Sequence, residues 1–321
     1  MSRTRTIKFG LAGVVALTLL SLPLFASNFY LQFVTKMCIM AIFAMSLNLL
    51  VGVTGLVSLG HAAYFGVAGY ALAMVSPEYS AASIWWTLPL VLAVSGVTAL
   101  VIGFLVLRTS GAYFIMATLA FAQMLYFFIH DSPYAGGSDG KYIYFKPSAA
   151  IGSLVPFSLE NKVHFYYVAL VCMVLVFVGL MMVLRSTFGH ALRGIKSNER
   201  RMSSLGFHTF RYKLACFVIA GTLAGLAGYL SASQFGFVNP EMLAWHQSGN
   251  VLMMVILGGV SSMNGAIIGA FTLMALEEVL SQLTKHWLLF LGMIIVAVVI
   301  LLPNGLLSLL QKKNKNGDSH G

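Results

Sequence analysis

The sequence predicts an all-α integral membrane protein of about ten transmembrane helices, some of them interrupted by glycine. Three observations carry this. Hydrophobic residues make up 59% of the chain and charged residues 9%, against about 25% charged in soluble domains. Apolar segments of roughly 20 residues, the length of a membrane-spanning helix, recur along the chain. When those segments are taken as alternating spans, fourteen of the 19 Lys and Arg residues fall on one side, the pattern of cytoplasmic loops.

The spans follow in order. Arg3, Arg5 and Lys8 precede an apolar run from Phe9 to Ala26. The run is long for a signal peptide, and Leu24 fits the small-residue cleavage rule poorly, so an uncleaved first span is expected. The second covers 30–51 and the third, glycine-rich, 52–76. The fourth covers 84–107, the fifth 111–129, the sixth 163–184 and the seventh 214–233. The eighth, over 249–259, is short; the ninth covers 265–283 and the tenth 287–302. One membrane domain over 9–310 results, with a cytoplasmic N-terminus at 1–8 and a cytoplasmic tail at 311–321. A polar loop at 131–162 is expected outside, and a basic loop at 185–213 inside.

Composition also excludes function classes. The net charge of +10 belongs to loops on one face of a membrane, so nucleic acid is not an expected partner. Cys38, Cys172 and Cys216 lie in apolar stretches without metal-ligand spacing, as buried inert thiols do. A nucleotide-binding P-loop is missing: the nearest candidate, ending at Gly140-Lys141, has Ala135 at its first glycine position and Tyr142 in place of Ser or Thr. HExxH and GxSxG motifs are also absent from the sequence. With nine acidic residues, most of them in loops, no convergent catalytic set can be assembled. The chain is not expected to be an enzyme, to hydrolyse ATP or to bind a metal.

Polar groups within the spans are few: Lys36, Asn48, His61, Gln123, Glu277 and Glu278. Each costs energy in hydrocarbon and so invites a functional reading. Lys36 can snorkel from a span end, while Asn48 and His61 flank the glycine-rich segment and suit interhelical hydrogen bonds or substrate contact. Glycine clusters occur in both halves of the chain, at Gly52, Gly55, Gly60, Gly66 and Gly69 and again at Gly258, Gly259, Gly265 and Gly269. Paired glycine-broken segments of this kind line translocation paths, and they also serve plain close packing. The candidate path residues are therefore Asn48, Gly60, His61, Gly66, Gly258, Gly259, Gly265 and Gly269.

Residues 185–213 hold seven basic residues and one acid, Glu199. On a helix over 191–205, Ala191, Leu192, Ile195, Met202 and Leu205 share one half, and Arg193, Lys196, Arg200 and Arg201 the other. Such a two-faced helix can lie on anionic lipid or sit in a groove of a cytoplasmic protein.

Four stretches together carry a family resemblance: LNLLVGVTGLVSLGHAAYFGVAGYA (47–71), GGSDG (136–140), FGHALRGIKSNERRMSSLGF (188–207) and LGGVSSMNGAIIGAF (257–271). The chain resembles the inner-membrane permease subunits of ABC importers for branched-chain amino acids, in their LivM-like branch, over nearly its whole length from residue 37. The resemblance implies a bacterial inner-membrane location, a second related permease subunit, two cytoplasmic ATPases that use ATP and Mg²⁺, and a periplasmic substrate-binding protein. It implies no cofactor on this chain. It makes the basic loop an ATPase-coupling segment, with Gly189, Arg193, Lys196, Asn198, Glu199 and Gly206 matching the family pattern and Arg200 beside them. Arg200-Arg201-Met202-Ser203 departs from the small and aliphatic residues usual there. A stand-alone secondary transporter, an anchored lipid-handling protein, and a same-family importer of urea, amides or aromatic acids are the competing expectations.

Overall fold

The computed structural model describes residues 20–23, 27–150, 159–260, 262–302 and 305–306. The expected first span lies outside the described residues except for its helical stretch 20–23. The segments expected to be the cytoplasmic N-terminus and tail, 1–8 and 311–321, lie outside them altogether.

Apolar residues in membrane-length runs leave the backbone no partner but itself, so the described residues are helical almost throughout. Helix α1 (Asn28–Asn48) continues as a π-helical segment, Leu49–Thr54, closed by Gly55 in the left-handed region. An extended stretch leads to α2 (His61–Val75), then come α3 (Ile84–Val106), α4 (Ala112–His130) and α5 (Lys162–Arg185). The basic segment forms α6 (Thr187–Ser197) and α7 (Glu199–Ser204). Helices α8 (Thr209–Phe235), α9 (Trp245–Gly258), α10 (Met263–Leu283) and α11 (Trp287–Leu301) complete the fold.

Six helices among the described residues are long and apolar enough to cross a membrane: α1 with its π extension, α3, α4, α5, α8 and α10. Three further expected spans are shorter. Helix α2 has 15 residues, α9 has 14 and α11 has 15, or about 21–23 Å at 1.5 Å per residue. The expected third span thus begins in the π-helical end of α1, passes through irregular chain at 55–60 and becomes α-helical only at His61. The expected seventh span starts earlier than its apolar run, at Thr209, so Arg211 and Lys213 belong to a helix instead of a loop.

Helix α1 forms the hub. From Met37 through Leu50 it is buried on every side, as expected of a helix apolar all round. Helices α5, α8, α9 and α10 pack against it. Helix α8 also packs along α2 and α3, and α9 along α10. Helices α3, α4, α5 and α11 turn broad apolar faces outward, with Val97, Met116, Phe128, Leu175 and Leu301 exposed.

Opposite the basic segment, the polar loop folds onto the end of α8. Strand β1 (Lys141–Tyr142) pairs antiparallel with β2 (Phe237–Val238). Gly136, Gly137 and Gly140 of the GGSDG stretch all have positive φ, which turns the chain sharply into β1. At Gly140 a side chain would also strike the Val238 carbonyl.

Candidate functional site

The helix breaks of the two halves meet. Asn48, at the end of α1, donates from Nδ2 to the Ser262 carbonyl at 3.1 Å. Ser262 caps α10, its Oγ accepting from the Gly265 amide at 3.1 Å. A β-carbon on Gly52 would come within 2.5 Å of the Val260 carbonyl and 2.6 Å of Asn48 Oδ1, so only glycine lets the two breaks approach this closely. Asn48 Oδ1 itself is buried without a partner among the described residues.

Above this junction lies an aromatic plug. His61 is 0% exposed and shares a hydrogen bond between Nε2 and Ser46 Oγ at 2.8 Å. Its ring stacks on Phe43, centroids 5.5 Å apart, and Phe43 stacks on Phe65 at 4.7 Å. The start of α2 is satisfied from other helices: the Ala62 amide donates to Ser248 Oγ at 2.8 Å, and the Leu59 amide to Thr118 Oγ1 at 3.3 Å. One of the donors left open at this helix N-terminus is thus met by a neighbouring helix.

The expected path residues are therefore together, but packed. A β-carbon on Gly60 would overlap the Thr118 carbonyl, and one on Gly66 the Leu243 side chain. Gly258, Gly265 and Gly269 let α9 and α10 touch backbone to backbone, since a methyl on Gly258 would overlap the Gly265 carbonyl and one on Gly269 the Met254 carbonyl. Gly259, at φ +112°, turns the chain between the two helices. In this conformation the glycines serve close packing, and Asn48 and His61 are buried groups that line no open space.

The basic segment departs from a single surface helix. Asn198 adopts an extended backbone and divides it, its side chain accepting from the Arg201 amide at 2.9 Å to start α7. A mid-helix Asn is a better cap than helix former, and the continuous periodicity hid that break. Ala191, Leu192 and Ile195 are buried as the apolar face predicts, whereas Leu205, past the break, is 67% exposed.

Most of the expected coupling residues shape this element from within. Gly189 lets α6 fold against the last carbonyls of α5, where a β-carbon would meet Leu184 and Val183 at 2.6 Å. Arg193, expected on the free polar half, turns back and donates from Nη2 to the Leu184 carbonyl at 3.0 Å. Glu199 pairs with Lys213 of α8 at 2.6 Å. Gly206, at φ +87°, makes the turn into α8. Lys196 reaches out of the element and donates from Nζ to the Gly52 carbonyl at 2.7 Å, its stem lying over Gly55. Arg200 is exposed, and its side chain has no partner among the described residues.

On the opposite side of the plug lies a cavity of about 530 Å³. Ser231, Asn239, Glu241, His246 and Gln247 supply its polar lining. Met40, Phe65, Phe235, Phe237 and Met242 supply apolar walls, and Tyr142 stands beside them. Phe65 is shared between the wall and the plug.

Residues 29–299 match the family model described as the permease component of branched-chain amino acid transport systems. The chain belongs to this permease family. It is 30% identical to the LivM permease protein of Salmonella typhimurium over 93% of this chain and 75% of that one. It is likewise 30% identical to LivM of Escherichia coli, over 96% and 78%. A more partial likeness, 28% over 51% of this chain and 50% of the other, links it to the autoinducer 2 import permease LsrC of Photorhabdus luminescens. No solved structure matches.

The chain is thus a multi-pass ABC importer permease and not the catalytic component. A permease of this kind implies ATPase and binding-protein partners. Its cavity residues escaped the sequence reading because Asn239, Glu241, His246 and Gln247 sit in a short polar connection between two apolar runs. The available signal was the one acid, Glu241, between the seventh and eighth spans.

Proposed function

We propose that this chain is one of two related permease subunits in a bacterial inner-membrane importer for branched-chain amino acids, driven by two cytoplasmic ATPases. In this reading residues 185–213 face the cytoplasm, as do both termini, and 131–162 faces the periplasm, where a binding protein delivers substrate. The positive-inside asymmetry supports that orientation. ATP and Mg²⁺ are used by the ATPases, and this chain binds neither.

The observation that carries the coupling role is the bond from Lys196 to the Gly52 carbonyl. It ties the cytoplasmic segment to the end of the hub helix, one turn from the Asn48–Ser262 junction. Arg200, exposed beside it, is left to meet an ATPase. In this reading the cavity lies on the periplasmic side of the Phe43–His61–Phe65 plug, and the conformation is taken as the outward-facing member of an alternating-access pair. Closure of the ATPases moves α6 and α7; Lys196 then pulls the π segment, and the two helix breaks part. π segments recur at functional positions because they give locally.

The test is L-leucine uptake by the assembled transporter in proteoliposomes, with binding protein present and all ion gradients collapsed. Uptake that requires ATP is expected. Uptake that runs on an ion gradient without ATP would replace this reading with a secondary transporter.

A further inference from the structure

We propose that the periplasmic-side cavity is a transient binding site for a zwitterionic α-amino acid with an apolar side chain, with Glu241 receiving its ammonium group. The assignment rests on the import reading above and names the chemistry of the substrate within it. The cavity's volume of about 530 Å³ falls in the range of small-molecule sites, about 300–1,000 Å³. Its lining separates by type. Glu241 is the one acid in it, and its carboxylate makes no ion pair or hydrogen bond among the described residues. Asn239, Gln247 and His246 carry N–H donors suited to a carboxylate, and their side chains likewise hold no hydrogen bond among the described residues. Gln247 and His246 stand in the first turn of α9, where helix polarity adds to the attraction for an anion. Met40, Phe65 and Phe237 give the cavity an apolar wall.

One anionic group, several neutral donors and an apolar wall match the three parts of leucine, isoleucine or valine. A carboxylic acid without an amine would meet Glu241 unpaired and be repelled. A neutral sugar would leave the acid unused and the apolar wall unfilled. Affinity here must be modest, because a site on a path has to release what it takes.

The experiment uses the complete transporter in proteoliposomes and two readouts. In the first, Glu241→Gln is expected to lower the maximal rate of ATP-driven L-leucine uptake about tenfold or more, the effect of losing a charge-assisted contact. Glu241→Asp should recover part of it, and the control Glu278→Gln, at the far end of α10 outside the cavity, should match wild type. Co-purification of all subunits establishes that each variant is assembled. In the second, Met242→Cys is reacted with a thiol reagent applied from the binding-protein side; millimolar L-leucine should slow labelling, and equimolar 4-methylpentanoate should not. Wild-type uptake with Glu241→Gln equally active would overturn the cavity assignment alone, as would protection by 4-methylpentanoate equal to that by leucine. A wild-type transporter that fails to import leucine on ATP would overturn the import reading itself.

Discussion

The Lys196 ammonium and the Gly52 carbonyl are separated by 144 residues in the chain and by 2.7 Å in space. A cation at the C-terminal end of a helix complements the helix polarity, worth about 0.3–1 kcal/mol at exposed positions. That is little stability, so the bond matters more as a mechanical link. Lys196→Met should lower the thermal midpoint of the purified complex by only a degree or two, as its small energy implies. It should cut leucine imported per ATP hydrolysed by about fivefold or more, while ATP hydrolysis continues. Uptake and ATPase rates measured on the same proteoliposomes give that ratio; an unchanged ratio would remove Lys196 from the coupling route.

Asn48 gives a second separation of stability from function. Its Nδ2 bonds across the two helix breaks, and its Oδ1 is buried without a partner among the described residues. Interhelical hydrogen bonds in membranes average about 0.6 kcal/mol, and removing an unsatisfied acceptor offsets part of that loss. Asn48→Leu should therefore fold with near-normal stability. Transport should nevertheless fall severalfold, because the hydrogen bond that links the two helix breaks is lost. Detergent melting curves beside uptake rates check both halves of the expectation.

At Gly269 the outcome reverses. Any side chain there strikes the Met254 carbonyl, and helix backbones in contact cannot shift cheaply. Gly269→Val should destabilise the α9–α10 pair by about 1–3 kcal/mol or more, the cost of overpacking. Low yield, early melting and loss of subunit co-purification are the measurable signs. A variant that melted with wild type would mean that the two helices do not meet at this glycine.

By itself the sequence determined the membrane class, the helical architecture and the sided distribution of charge. These follow from local quantities: run length, hydropathy and the position of Lys and Arg relative to the spans. It also marked Asn48, His61 and the glycine clusters as exceptional, because polar groups and missing side chains stand out against an apolar background. It placed the buried face of α6 at Ala191, Leu192 and Ile195, where a single helical period suffices. The division at Asn198 escaped it, because a capping side chain interrupts a period without disturbing its spacing.

Only the tertiary structure decided what those exceptional residues touch. Glycines in a span suit a channel wall and a helix contact equally, and backbone carbonyls pressed against them settle close packing for this conformation. Arg193 and Lys196 are equivalent in charge and lie on the same predicted face, yet one closes the end of α5 and the other reaches Gly52. The cavity depends on residues from α1, α2, α8 and the chain leading into α9 converging at one place. Such convergence is set by packing between segments far apart in sequence, where each pairwise contact is weak and the sum fixes the arrangement.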